Sequence, residues 1–498
     1  MKSANTYALA QPKSGIAVPG PDAIPTDLLI GDRWRDGTGG PRIAVHNPAN
    51  GEVITTIANA SLADGMAAVD AAEKAAPGWA ATPARARAEI LRQCYDRMIA
   101  NADWLAHLIS LEMGKALSDS QGEVLYAAEF FRWYSEETAR IRGELQDSPS
   151  GTNKILVQYQ PIGISLLITP WNFPAAMATR KIAPALGAGC TVILKPAIET
   201  PLTALAIAQI MLDAGVPPGV INVITPQDPG PVCAAIMHDP RVRKMSFTGS
   251  TAVGRKLLAT ASETVLNCSM ELGGNAPFIV FDDANIDDAV EGAMIAKMRN
   301  GGQACTAANR LYVQKGVLKS FTEKLTVRMA AMKLGDGTDP ATQLGPVITE
   351  KQANKIADLV NGAVKQGAKA ILGGARPNRP GYYYPATVLT DVPADATILK
   401  DEIFGPVAAI VSFETEDEVI RLSNATEYGL AAYLYTKDMQ RGLAIAQRLE
   451  YGMIGVNRGL VSDTAAPFGG IKQSGLGREG SHHGLIEFTE CRYVAVSW

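Results

Sequence analysis

Ile164-Ser-Leu-Leu-Ile-Thr-Pro-Trp-Asn-Phe-Pro174 is an apolar, β-branched run closed by a proline, after which a helix-compatible segment begins. The pattern recurs. Short apolar or β-branched runs follow at 191–194, 220–224, 244–247 and 278–281, the last ended by Asp282. Alanine-rich stretches with helical spacing, 174–188, 202–214 and 252–262, lie between most of them. Strands separated by helix-length segments predict right-handed βαβ units around a parallel sheet. In such a sheet, ligands bind at the loops on the carboxyl ends of the strands.

Upstream, 62–76, 82–101 and 102–138 read as long amphipathic helices that would cover the sheet. Downstream, 284–299, 316–333, 351–367 and helices within 415–450 alternate with short strands, which predicts a second α/β domain. Residues 140–161 read as a projecting β-hairpin. The final 491–498 read as a strand with no local partner. Exposed edges of this kind are a liability in a monomer, so they point to an interface in a homodimer or homotetramer. Residues 1–25, with Pro12, Pro19, Pro21 and Pro25, read as an irregular extension.

Bulk properties narrow the class. The chain has 498 residues, too many for one core. At 47% hydrophobic and 19% charged it is an ordinary globular composition. The net charge of −4 is spread along the chain, with no basic block to suggest nucleic acid. No apolar stretch approaches the about 20 residues of a membrane span, and no signal-peptide core follows Lys2. Six cysteines without paired spacing and five dispersed histidines argue against a disulfide framework or a metal site. A reducing compartment, the cytoplasm, is the expected location.

Two residues carry the chemistry. Cys305 sits in the glycine-flanked run Asn300-Gly-Gly-Gln-Ala-Cys-Thr-Ala-Ala-Asn-Arg310, and Glu271 in Met270-Glu-Leu-Gly-Gly-Asn-Ala-Pro277. A thiol ionises far more easily than a hydroxyl near neutral pH and is the better nucleophile. A carboxylate can serve as general base for a water.

Seven blocks then occur in one order: Pro170-Trp-Asn-Phe-Pro174, Lys195-Pro196, Phe247-Thr-Gly-Ser-Thr251, Glu271-Leu-Gly-Gly274, Gly302-Gln-Ala-Cys305, Glu402-Ile-Phe-Gly-Pro406 and Pro467-Phe-Gly-Gly-Ile-Lys-Gln-Ser-Gly475. From about residue 27 onward the chain resembles the aldehyde dehydrogenase superfamily. That resemblance implies an α/β protein with a Rossmann-type cofactor domain (26–139 and 162–274), an α/β catalytic domain (275–484) and a small β oligomerisation element (140–161 and 485–498). It implies Cys305 as nucleophile, Glu271 as the base that hydrolyses a thioester, and the Asn172 amide with the Cys305 N–H as oxyanion donors. Members that pass the acyl group to coenzyme A typically lack the base, so a free acid is the expected product.

The resemblance also implies a cofactor set: Trp171, Lys195, Ala197, Ile198, Gly249, Ser250, Leu272, Glu402 and Phe404. Gly249-Ser-Thr-Ala-Val-Gly254, between a strand and a helix, suits a diphosphate. The literal G-x-G-x-x-G, Gly475-Leu-Gly-Arg-Glu-Gly480, lacks a following βαβ unit and reads instead as a turn beside the substrate entrance. NAD-preferring members often carry a glutamate where this chain has Ile198. Its absence beside Lys195 favours NADP, with NAD possible.

Arg180, Arg299 and Ser462 match positions resembling the carboxylate-binding residues of succinate-semialdehyde dehydrogenases. Two guanidinium groups can clamp a carboxylate, so the expected substrate is a short ω-carboxy aldehyde, succinate semialdehyde. Glutarate and 2-oxoglutarate semialdehydes stay open, since one methylene discriminates by only about 1–3 kcal/mol. A non-catalytic protein keeping the fold is the alternative from another class. Some relatives carry a second cysteine where this chain has Ala307, so no disulfide switch is expected there. Ala304 and Thr306 depart from common choices beside the nucleophile and leave chain-length preference open.

Overall fold

The computed structural model describes residues 24–497. The extension read over 1–25 lies, but for its last two residues, outside the described residues, as does Trp498.

Eight strands form the first sheet, in the order Gly475–Leu476, Asn267–Glu271, Val242–Thr248, Ile164–Ile168, Val192–Lys195, Ile221–Val223, Leu28–Ile30 and Arg33–Arg35. The five from Asn267–Glu271 to Ile221–Val223 are mutually parallel. Every residue of Ile164–Ile168 and Val192–Lys195 is buried. A parallel strand is covered by helices on both faces, so its sequence is a continuous apolar run. The helix Pro174–Ala188 opens with a proline, whose missing N–H costs nothing there, and all its residues are buried. It packs against Leu117–Glu137.

Seven strands form the second sheet, in the order Lys369–Leu372, Thr387–Thr390, Val407–Phe413, Ala308–Gln314, Ala276–Val280, Ala431–Tyr435 and Met453–Val456. A third sheet joins Thr489–Val496, Lys154–Pro161 and Glu144–Asp147.

Several expectations need correction. Residues 278–280 belong to the second sheet, within Ala276–Val280, which ends one residue before Phe281, and do not extend the first. The single helix over 102–138 is two, Ala102–Met113 and Leu117–Glu137, separated at Gly114, which adopts φ +90°. The C-terminal strand has a partner in its own chain. Thr489–Val496 pairs antiparallel with Lys154–Pro161 along its whole length, from Thr489↔Pro161 to Val496↔Lys154. Gly475–Leu476 is an edge strand, pairing with Met270 and Glu271, and not merely a turn.

Candidate active site

The order of the first sheet reverses between Ile164–Ile168 and Val242–Thr248: successive strands add on one side of the former, then on the other. This is the switch point at which an open α/β sheet leaves a crevice beyond its carboxyl ends. Trp171 and Asn172 follow one of these strands, and Gly249 and Ser250 follow the other. Ser250 caps the helix Thr251–Ser262, its Oγ accepting from Val253 N at 3.4 Å. The remaining N–H groups of that first turn point out of the helix and favour an anion.

Glu271 ends the next strand, and Leu272–Asn275 cross directly into the second sheet at Ala276. Cys305 lies just before Ala308–Gln314, whose first residue pairs with Ala276. The register brings the crossing segment against the nucleophile. A Cβ on Gly274 would lie 2.4 Å from Cys305 O. Gly302 has φ +76°, and a Cβ there would lie 2.2 Å from Gly405 O. Any side chain at either position would push apart the Cys305 loop and its neighbours.

A cavity of about 240 Å³ fills this seam. Of the expected cofactor residues, Trp171, Gly249, Ser250, Leu272, Glu402 and Phe404 line it. Cys305, Asn172, Arg180, Arg299 and Ser462 line the same space. Tyr126, Phe173, Met177 and Phe468 also line it and were not legible as site residues. A second cavity of about 380 Å³ shares Tyr126, Phe173, Arg299 and Ser462 with the first. Lys195, Ala197 and Ile198 do not line the first cavity. They follow the strand beside Ile164–Ile168. Lys195 is buried, which lowers its ammonium pKa, with Glu199 opposing the shift. Ile198 packs against the main core.

Asn172 is held from two sides. Its carbonyl accepts from Lys115 Nζ at 2.6 Å and from Asn300 Nδ2 at 2.8 Å. Its side-chain Nδ2 donates to Gln303 O at 3.0 Å. An amide has two such protons, so one is left for a ligand. Lys115 is ion-paired with Glu123, both fully buried. Glu123 Oε1 in turn accepts from Ala175 N and Ala176 N, at 2.9 and 3.2 Å, where a helix N-terminus favours a carboxylate. Asp119 Oδ2 accepts from Asn300 N at 2.8 Å.

Burial pushes the Cys305 thiol up to about 12, with Arg180 opposing and Glu271 and Glu402 reinforcing the shift. The thiol is therefore protonated at neutral pH before ligands bind. Burial and the neighbouring Glu479 charge hold Glu271 well above the usual carboxyl range, while Arg180, Lys181 and Arg478 pull it down. Neither Glu271 carboxyl oxygen has a hydrogen-bond partner among the described residues. Glu271 is buried and does not line the cavity that holds Cys305.

Glu479 is the charged member of that cluster, ion-paired with both Arg180 and Lys181. The Arg180 guanidinium also lies 4.1 Å from the Phe468 ring centroid. Arg299 lies 5.2 Å from the Phe173 ring and has no ion pair among the described residues. Of the two expected anchors, Arg180 already shares its charge with a carboxylate and Arg299 does not. Glu479 sits inside the run read as a glycine-rich turn, and no local pattern marks it as a partner of Arg180.

The residues fit a nicotinamide dinucleotide. Beyond the free helix terminus, Thr248 Oγ1 is buried in the cavity wall without a partner. The Trp171 and Phe404 rings meet edge-on at 5.3 Å, forming an apolar corner. The Glu402 carboxyl, raised to about 7 by burial, accepts from Gly274 N at 3.3 Å. Among the described residues no cluster of three or more His, Cys, Asp or Glu could hold a metal, and no helix is long and apolar enough to cross a membrane.

Residues 34–494 match the profile of the Aldehyde dehydrogenase family, and the chain belongs to that family of oxidoreductases. It is 54% identical over 445 residues to the succinate-semialdehyde dehydrogenase of Paenarthrobacter nicotinovorans, covering 89% of this chain and 99% of that one. It is 47% identical over 468 residues to the NADP(+) succinate-semialdehyde dehydrogenase of Escherichia coli, covering 94% and 97%. It is 48% identical over 463 residues to the glutarate-semialdehyde dehydrogenase of Pseudomonas aeruginosa, covering 93% and 96%. Among solved structures, an Escherichia coli NADP-dependent enzyme superposes with a TM-score of 0.95 at 46% identity, covering 97% of this chain and all of that one.

Proposed function

We propose that this chain is an NADP-preferring dehydrogenase that oxidises succinate semialdehyde to succinate. The observation that carries the reading is one cavity lined by Cys305, Asn172, Arg180, Arg299 and Ser462. Cys305 adds to the aldehyde carbon, and its thiol proton is released to solvent. The free Asn172 amide proton and the Cys305 N–H stabilise the oxyanion of the thiohemiacetal, a term worth about 2.7–4 kcal/mol per donor. A nicotinamide dinucleotide held at Trp171, Glu402 and Phe404 would supply the hydride acceptor, and loss of hydride from that carbon would leave a thioester on Cys305. Glu271, once deprotonated, takes a proton from the water that cleaves the thioester. Arg180, Lys181 and Arg478 make that deprotonated form accessible.

Trp171, Gly249, Ser250, Leu272, Glu402 and Phe404 hold the cofactor along the cavity, and Lys195, Ala197 and Ile198 hold its adenine end. An apolar Ile198 beside Lys195 supports NADP over NAD, since a carboxylate at 198 would repel a 2′-phosphate. Ile198→Glu is expected to lower the NADP-to-NAD ratio of kcat/KM by roughly tenfold or more, the effect of one adverse charge contact. Steady-state kinetics with both cofactors measures it, and an unchanged ratio removes the argument.

Arg299 and Arg180 grip the distal carboxylate. Hydrogen bonds to charged groups contribute about 1.5–3 kcal/mol. Arg299→Ala is therefore expected to lower kcat/KM for succinate semialdehyde relative to butanal by roughly 10–100-fold. Arg180→Ala should do the same, and also costs overall activity because Glu479 loses a counter-ion. An unchanged ratio in both variants sinks the clamp. Glutarate semialdehyde is the second reading, favoured by the Pseudomonas aeruginosa relative and by the cavity beyond Arg299.

The division into a cofactor domain (26–139 and 162–274), a catalytic domain (275–484) and an oligomerisation element (140–161 and 485–498) is supported by the three sheets of three or more strands. Exposed Leu145 and Tyr493 on the third sheet support assembly as a homodimer or homotetramer. Six free cysteines support a reducing, cytoplasmic setting.

A further inference from the structure

Asn275 ends the segment that carries Glu271 from the first sheet to the second, and it is 1% exposed. Its main chain is pinned. The Asn275 carbonyl accepts from Arg310 Nε at 3.0 Å and Nη2 at 2.7 Å. Arg310 is itself buried and donates further to Leu422 O, Ser423 O and Tyr451 Oη. From this fixed base the Asn275 side chain reaches across to another loop. Nδ2 donates to Leu399 O at 2.8 Å and Lys400 O at 3.2 Å. These are the carbonyls that precede Asp401 and Glu402, where the short helical turn Thr397–Leu399 ends. Glu402 then returns to the same segment, accepting from Gly274 N. The approach to Glu402 and its carboxyl are thus both tied to the dipeptide Gly274–Asn275.

We propose that Asn275 is a positioning residue that holds the Glu402–Phe404 loop at the cavity and so sets the grip on the nicotinamide half of the cofactor. The inference rests on the dehydrogenase reading. A buried carbonyl that loses its donor carries a desolvation penalty. Without Asn275 the Leu399 and Lys400 carbonyls lose their donor and the approach to Glu402 is freed to shift, leaving the loop held by Lys355 Nζ on Glu402 O at 2.8 Å and Gln352 Nε2 on Ile403 O and Phe404 O at 3.2 and 2.9 Å. Cys305 is held by other contacts, through Gly274 packing and the register of Ala276 with Ala308. Chemistry at Cys305 that needs no cofactor should therefore be spared.

The experiment compares wild type with Asn275→Ala and Asn275→Asp. The second keeps the volume but loses the donor, and carries the same expectations if the first does not fold. Three quantities are read: NADPH and NADH dissociation constants by fluorescence titration, cofactor KM and kcat for aldehyde oxidation, and hydrolysis of p-nitrophenyl acetate without cofactor. An activated ester acylates Cys305 directly, with no hydride to transfer. The expected result is a rise in cofactor Kd and KM of about fivefold or more, from the loss of one or two hydrogen bonds, with a lower oxidation kcat and ester hydrolysis within about twofold. Unchanged cofactor Kd and KM would overturn the proposal. So would ester hydrolysis falling in parallel with oxidation, since that is packing damage reaching Cys305. A wild type that binds NADPH but oxidises no aldehyde would instead refute the functional reading, while the Kd comparison still decides the role of Asn275.

Discussion

Cys305→Ala is expected to lower aldehyde oxidation by on the order of 10⁴-fold or more, the scale seen when a covalent nucleophile is removed. No neighbouring thiol can substitute, because Ala304, Thr306 and Ala307 surround the position, and the other five cysteines lie elsewhere in the fold. The change removes a half-buried side chain, not a core filler, so the fold should persist. Cofactor Kd should stay within about twofold, since only the reacting atom is lost. Steady-state oxidation and an NADPH titration on the same preparation separate these outcomes. Oxidation retained within an order of magnitude would mean that another group attacks the aldehyde.

Glu271→Gln is expected to act on the second half of the reaction. General-base catalysis contributes about 10²–10⁴-fold, and the substitution keeps the shape while removing the base. Thioester formation should continue and its hydrolysis should stall. Rapid mixing should then show a burst of one reduced cofactor per site, followed by a steady rate lower by that factor. The pH dependence follows from the state of the group. Glu271 is held above the ordinary carboxyl range, so it is protonated and inactive at low pH and becomes a base as pH rises through that raised value. Hydrolysis in the wild type should increase with pH over that interval, and the limb should vanish in Glu271→Gln. A variant that turns over at the wild-type rate would assign the base elsewhere.

The fold was legible where burial leaves a direct trace. Ile164–Ile168, Val192–Lys195 and Ile221–Val223 are buried on both faces, so period and composition give them away. Asn267–Glu271 is equally a parallel strand, yet its residues are Asn-Cys-Ser-Met-Glu, and only pairing with Val242–Thr248 makes it one. The partner of the C-terminal strand was invisible because the pairing is remote: Asn153 and Tyr493, hydrogen-bonded across it, stand 340 residues apart.

The site divides in the same way. Cys305, Asn172 and Glu271 stand in short motifs, because the chemistry fixes the type of each and its immediate neighbours. The groups that support them have no such signature. Lys115, Asp119 and Glu123 lie in the stretch read as one long helix; Glu123 and Lys115 are buried against the start of Pro174–Ala188 and Asn172, while Asp119 meets Asn300. Glu479 lies in a run whose glycines draw the attention, and its pairing with Arg180 and Lys181 requires the edge strand Gly475–Leu476. Spacing locates the reacting atoms, while their protonation depends on burial first and then on charges brought in from distant segments.

A semialdehyde carbon carried on Cys305 until Glu271 releases it leaves a trappable thioester. Glu271→Gln mixed with succinate semialdehyde and NADP, quenched in acid and digested, tests it by peptide mass spectrometry. The expected product is a peptide containing Cys305 that is heavier by one succinyl group, absent without cofactor and absent in the Glu271→Gln, Cys305→Ala double variant. An unmodified Cys305 peptide in a sample that has produced its burst of reduced cofactor would contradict it.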